Sequence, residues 1–214
     1  MYTGIDLSLS NTGLIIIDEE GNIVLEKSIK TSPSKEKTSV DTIKRVQGIN
    51  NKIMNYLLRQ NVRKVAIEGF SFGSKGKALF EIAYLGYRLR ESLLANDIDF
   101  IEPTPGQLKQ FATGKGNTKK SEIMLQVYKK WGKEFSDDNL ADAYVLAQIL
   151  KGLENKNGLN KIQLGVLEKI KKKKADLDKC PNCKNEINRV EMGYFCKYCL
   201  KEYDNYGDLI APLL

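Results

Sequence analysis

Hydrophobic and polar positions change their period along the chain, and the changes mark its elements. Residues 2–8, 13–18 and 23–29 are short apolar-rich runs, and Asp18-Glu19-Glu20-Gly21-Asn22 between the second and third is a turn signal. Three antiparallel strands are therefore predicted at the start. Val40, Ile43, Val46, Asn50, Ile53 and Leu57 then recur at three- and four-residue spacing behind a cap at Thr38 or Ser39, which predicts an amphipathic helix to about residue 58. Residues 62–68 return to a short apolar strand that ends on Glu68. The segment Gly69-Phe70-Ser71-Phe72-Gly73-Ser74-Lys75-Gly76 is too rich in glycine to be regular, and Leu79, Ile82, Leu85, Leu89 and Leu93 set a second helix over 78–95. A fifth strand at 98–102 is closed by Pro103 and Pro105, and helices are expected near 106–112, 120–131 and 138–152. The order β-β-β-α-β-α-β-α, a meander followed by right-handed crossovers, predicts an α/β fold: a mixed five-stranded sheet flanked by helices on both faces.

Beyond residue 152 the composition shifts. Residues 153–178 read as a polar linker and a basic helix, in which Ile162, Leu164, Val166, Leu167 and Ile170 alternate with lysines up to the run Lys171-Lys172-Lys173-Lys174. Every cysteine falls within 179–205, and 206–214 is a short tail. The expected organisation is thus a main domain at 1–152, the linker and helix, a cysteine module and the tail. Lys and Arg number 34 against 27 Asp and Glu, a net charge of +7, which favours an anionic partner over a merely solvated surface. No apolar run approaches the roughly 18–20 residues of a membrane span, and Met1-Tyr2-Thr3 leads directly into a strand-like run. A soluble, cytoplasmic protein without a membrane partner is expected.

Candidate chemistry narrows the anionic partner. Histidine is absent, so acid–base or metal chemistry must rest on carboxylates, lysines, thiolates and bound water. Asp6 lies in the first strand, Glu68 at the tip of the fourth, and Asp138 and Asp142 at i and i+4 on one helix. If those strands are neighbours, the carboxylates share a crevice at the strand ends. Three or four carboxylates suit Mg²⁺ or Mn²⁺, and two such ions roughly 3.5–4 Å apart clamp a phosphodiester for hydrolysis without a protein nucleophile. Helix capping is the competing reading for Asp137 and Asp138. It fits Asp142 less well, because a carboxylate between Ala141 and Ala143 would be costly to bury unpaired.

Gly4-Ile5-Asp6-Leu7-Ser8-Leu9-Ser10-Asn11-Thr12-Gly13, Ala66-Ile67-Glu68, Gly114-Lys115-Gly116 and Ala141-Asp142-Ala143 occur in that order. Together they resemble the RuvC-like Holliday junction resolvases of the RNase H-like superfamily, particularly the phage-type members, over residues 1–152. The resemblance implies an RNase H-like sheet, and metal-binding catalytic roles for Asp6, Glu68 and Asp142. It implies a fourth acid or a histidine three residues before the last Asp, where this chain has Asn139. Asp138, one residue earlier, or the Asn139 carbonyl oxygen would then fill that place. It also puts Lys109 and Lys120 on lysines that hold junction DNA, and implies a homodimer, since symmetric cutting of a four-way junction needs two active sites. If the gene is phage-borne, the compartment is the host cytoplasm.

Around these residues the charge pattern supplies further DNA-binding candidates. Lys115 and Lys119 stand in a glycine-rich basic segment that lets backbone approach phosphate, and Lys75 stands in the glycine-rich loop after Glu68. Phe70 and Phe72 in that loop suit stacking on bases opened at a branch point; packing of one of them in the core is the alternative. Cys180-Pro181-Asn182-Cys183 and Cys196-Lys197-Tyr198-Cys199 are two Cys-x-x-Cys knuckles, the pattern of a structural Zn²⁺ ribbon with Cys180, Cys183, Cys196 and Cys199 as ligands. The ribbon would bind DNA or dock a protein partner. The expectation that follows is a Mg²⁺-dependent endonuclease that nicks four-way or related branched DNA. Its rivals are a branched-DNA-binding protein that does not cut and, since Asp followed by Ser, Thr and Gly also opens actin-like folds, an ATPase or kinase.

Overall fold

The structure, a computed structural model, describes residues 1–36, 38–70, 76–175, 182–183, 185, 188–190, 193–196 and 201–203. The chain divides into two compact units, Met1–Val166 and Leu167–Leu214.

In the first unit, β1 (Tyr2–Asp6) and β2 (Asn11–Ile17) form an antiparallel hairpin that β3 (Ile23–Lys30) extends. The turn expected between β2 and β3 closes on Asp18, whose Oδ1 accepts the amides of Gly21 at 2.8 Å and Asn22 at 2.7 Å. On the other side of β1 lies β4 (Lys64–Ile67), parallel to it, and then β5 (Asp99–Ile101), parallel to β4. The resulting order, β3-β2-β1-β4-β5, is the mixed five-stranded sheet predicted.

Strand alternation sorts the sheet into two faces. Ile5, Leu14, Ile16, Val65 and Ile67 point to one side, where Ile49 and Ile53 of α1 (Ser39–Arg59) and Leu85 and Leu89 of α2 (Lys77–Leu94) complete a core layer. Each such side chain contributes roughly 1.5–3 kcal/mol when fully buried. α1 begins on a capping box in which Thr38 accepts from Asp41 N and the Asp41 carboxylate accepts from Thr38 N. The opposite face carries Gly4 and Gly13, and α5 (Asp138–Glu154) lies against them.

α3 (Pro105–Thr113) and α4 (Lys120–Trp131) pack beside α5 through aromatic rings. Trp131 stacks on Phe111 at 6.4 Å and meets Tyr144 edge-on at 5.8 Å, and Phe135 lies 5.4 Å from Tyr144. α6 (Lys161–Ala175) opens on a reciprocal pair of bonds between Asn160 and Gln163. In the second unit β6 (Asn188–Val190), β7 (Gly193–Cys196) and β8 (Lys201–Tyr203) make an antiparallel meander. Among the described residues no helix is long and apolar enough to cross a membrane.

Candidate active site

Register brings Asp6 and Glu68 together. Gly4 and Ile5 of β1 pair with Ala66 and Ile67 of β4, and the Glu68 amide continues the ladder to the Ile5 carbonyl at 3.4 Å. Asp6 and Glu68 are therefore the next neighbours along two adjacent parallel strands. Because Ile5 and Ile67 face α1 and α2, Asp6 and Glu68 belong to the α5 face. Asp6 is 8% exposed and Glu68 half-buried. After Asp6 the chain reverses in a turn held by Thr12, whose hydroxyl donates to the Ser8 carbonyl at 2.7 Å and accepts the Ser8 amide at 3.1 Å. From α1, Arg45 reaches into the same corner and donates to the Leu9 carbonyl at 2.7 Å and the Thr31 hydroxyl at 2.8 Å.

α5 brings the other two acids by pressing its backbone onto the hairpin. A Cβ on Gly13 would stand 2.3 Å from the Asn139 carbonyl oxygen, and one on Gly4 only 1.9 Å from that of Ala143. Gly13 is the register partner of Asp6, so the first turn of α5 lies over the Asp6 end of β1. Tyr144 sends its hydroxyl to the Gly21 carbonyl at 3.4 Å, which turns its flank of the helix toward the β2–β3 turn. At roughly 100° per residue, Asp138 and Asp142 occupy the opposite flank, on the β4 side where Glu68 emerges. Both are half-buried. Among the described residues, no group of three or more acidic or cysteine side chains is set to hold a metal ion; backbone placement gathers the four acids at one end of the sheet, while their carboxylates are not drawn into a shared cage.

Capping of α5 falls on Asp137, whose Oδ1 accepts the Leu140 amide at 3.0 Å. Asp138 is the first helical residue. Asn139 is engaged elsewhere: its side-chain amide donates to the Asn11 carbonyl, and Ser28 bridges the Asn11 and Asp137 side chains. This polar strap fastens the first turn of α5 to β2 and β3, a use of Asn139 and Asn11 that nothing local in the sequence signals.

The candidate DNA contacts are distributed as follows. α3 starts on a capping box between Thr104 and Gln107 and carries Lys109. Gly114 ends it in the left-handed conformation at φ +87°, and the chain then doubles back, so that a Cβ on Gly116 would lie 3.5 Å from the Gly106 carbonyl oxygen. That return places exposed Lys115 beside the N-terminal turn of α3, and exposed Lys119 precedes α4. Lys120 is the first residue of α4. Phe70 packs inward on α2, its ring 5.0 Å from Tyr87 and under the Arg90 guanidinium at 4.5 Å. Phe72 and Lys75 lie outside the described residues, as do Cys180 and Cys199. Cys183 falls in a turn and Cys196 ends β7.

Comparison with known proteins adds an independent line. The family model described as crossover junction endodeoxyribonuclease RuvC matches residues 2–149. The protein of that name from Campylobacter jejuni is 29% identical over 149 residues, covering 67% of this chain and 89% of the relative. That of Alkaliphilus oremlandii is 30% identical over 148 residues, covering 67% and 88%. Among solved structures, T. thermophilus RuvC in complex with a Holliday junction substrate aligns with a TM-score of 0.56 at 21% identity, over 68% of this chain and 88% of that one. The yeast mitochondrial Holliday junction resolvase Ydc2 aligns with a TM-score of 0.50 at 13% identity, over 79% and 81%. These two likenesses are likenesses of fold.

Proposed function

The chain belongs to the RuvC family of crossover junction endodeoxyribonucleases, and on that premise we propose that it is a divalent-metal-dependent endonuclease that nicks four-way or related branched DNA. The observation that carries this is the meeting of Asp6 and Glu68 on adjacent parallel strand ends beneath the Asp138–Asp142 turn of α5. An all-oxygen donor set without histidine fits Mg²⁺ or Mn²⁺. Asp6, Glu68 and Asp142 would hold the ions, with Asp138 as the preferred fourth ligand and the Asn139 side-chain oxygen as the alternative, since the Asn139 bond to the hairpin uses only its NH₂ group. Bound there, a pair of such ions supplies an activated water and neutralises the leaving oxygen.

The chain's own groups do the rest. The first turn of α5, lying over the Asp6 end of β1, would offer a positive helix end to a phosphate bound there. Lys109, Lys115, Lys119 and Lys120, with Lys75, take the flanking phosphates, which positions the duplex without reading its sequence. Of the two aromatics Phe72 is assigned the stacking role at the branch, because Phe70 is engaged by α2. α2 also exposes Phe80, Tyr84 and Tyr87 at helical spacing, a face suited to a second copy, so that two sites can act on one symmetric junction. In the second unit Cys180, Cys183, Cys196 and Cys199 would bind one structural Zn²⁺, leaving the ribbon to contact DNA or a protein partner.

The test uses labelled four-way junctions, flaps and linear duplexes with Mg²⁺, Mn²⁺ or EDTA. Wild-type protein should cut the branched substrates only with metal, and Asp6→Asn, Glu68→Gln and Asp142→Asn should bind junctions without cutting them. Unimpaired cleavage by these variants would refute the site, and binding with no product at any metal concentration would refute the activity.

A further inference from the structure

A buried cation packs against the stretch that follows Glu68. Arg90 of α2 is only 6% exposed, and its guanidinium is engaged on two edges and one face. Nε donates to Glu102 Oε1 at 2.7 Å, Nη2 lies 2.6 Å from the same oxygen, Nη1 donates to the Gly86 carbonyl at 2.9 Å, and the Phe70 ring covers its face at 4.5 Å. Room for that ring exists only because residue 86 is glycine, where a Cβ would come within 2.6 Å of it. A buried charge is costly to desolvate and is no efficient device for stability alone. What this one does is join three segments: α2, the stretch that leaves β4 through Gly69 and Phe70, and the stretch that leaves β5 through Glu102 and Pro103.

The third connection lies next to it. The Gly69 amide donates to the Pro103 carbonyl at 2.8 Å, so Glu68 is gripped on one side by the β1 ladder and on the other by Gly69 and Phe70. Pro103 leads directly into the Thr104 cap of α3, the helix that carries Lys109. We infer that Arg90 is a positioning residue for Glu68: through Glu102 and Phe70 it fixes the backbone that aims this carboxylate, and it holds that backbone to the start of α3. The inference rests on Glu68 being a catalytic acid. A misplacement on the order of 1 Å is enough to cost about 100-fold in rate.

The experiment compares full-length wild type, Arg90→Lys, Arg90→Met, Glu102→Gln and Glu68→Gln at a temperature where each is folded. Single-turnover cleavage of a four-way junction with Mg²⁺ is followed as a function of protein concentration, and amide hydrogen exchange is measured without metal or DNA. Arg90→Met should lower the saturating rate at least tenfold while changing the half-saturating concentration less than twofold. It should also speed exchange at Gly69 and Phe70 while leaving β1 and α5 protected. Arg90→Lys, which can still reach Glu102, should recover part of the rate. If Arg90→Met does not fold, Glu102→Gln serves in its place, with the same split expected. An unchanged saturating rate, or unchanged exchange at Gly69 and Phe70, overturns the inference. Wild-type cutting by Glu68→Gln would instead remove the catalytic role of Glu68, and the exchange measurement would still decide whether the clamp exists.

Discussion

Adding one methyl group at Gly13 should disable the site by lifting α5 off the hairpin. The Cβ of Gly13→Ala would lie 2.3 Å from the Asn139 carbonyl oxygen, 2.6 Å from its carbonyl carbon and 3.0 Å from the Leu140 nitrogen. All three are backbone atoms, so no rotamer change relieves the contact. To regain an ordinary contact of 3.4 Å the first turn of α5 must withdraw by roughly 1 Å, and overpacking of this kind costs about 1–3 kcal/mol. Against a total stability of roughly 5–15 kcal/mol, the variant should fold with a lowered denaturation midpoint and an unchanged denaturant slope. The same withdrawal carries Asp138 and Asp142 away from Asp6, and displacement on that scale is worth about 100-fold in rate. Single-turnover cleavage of a four-way junction at saturating protein, at a temperature where circular dichroism shows the variant folded, is the assay. Junction binding should change little, because the basic residues of α3 and α4 are not on the displaced turn. Gly4→Ala, at 1.9 Å from the Ala143 carbonyl oxygen, should be worse in both respects. A Gly13→Ala protein within about 0.5 kcal/mol of wild type and cutting at its rate would show that α5 does not owe its position to these glycines.

Three smaller perturbations bear on neighbouring parts. Thr104→Ala removes a hydroxyl that accepts the Gln107 amide at 3.2 Å and should cost about 1 kcal/mol, read from the denaturant midpoint. Lys109→Gln and Lys115→Gln should each flatten the plot of log junction affinity against log salt by about one unit, with no change in substrate preference; an unaltered slope would take that lysine off the DNA. Burial holds the Lys130 ammonium below its usual 10.5. Between that lowered value and 10.5 the unfolded chain therefore keeps a proton that the folded chain has lost, so the Lys130 contribution to stability rises with pH across this window. Lys130→Met should remove that contribution, so the difference in urea-melt midpoint between wild type and variant should grow in favour of wild type as pH rises through the window.

Much of the fold is legible in residue order alone. The short apolar runs around Ile5, Leu14 and Ile67, the spacing of Val46, Ile53 and Leu57, and the glycine and proline punctuation suffice to predict strands and helices in sequence, and pairing then follows from connection lengths. Candidate acids stand out because a carboxylate at the end of an apolar strand is conspicuous. The competition between Asp137 and Asp138 for the cap of α5 is different, because it depends on where the helix begins, and hydrogen bonding settles it for Asp137.

Other features depend on groups far apart in the chain, and only tertiary structure decides them. Gly4 and Gly13 read locally as members of short strands, but they are the places where a helix more than a hundred residues later touches the sheet with its backbone. Asn139 shows no partner in the sequence until Asn11 is brought beneath it. Phe70 stands in a glycine-rich loop that invites a role against DNA, yet Arg90 and the missing Cβ of Gly86 give it a berth on α2. Sequence determines which residues are acidic, apolar or small, and at what period, because those properties are local. Which acid lies beside which, and which charge is buried against which ring, is set by close packing between segments that have no neighbourhood until the chain has folded.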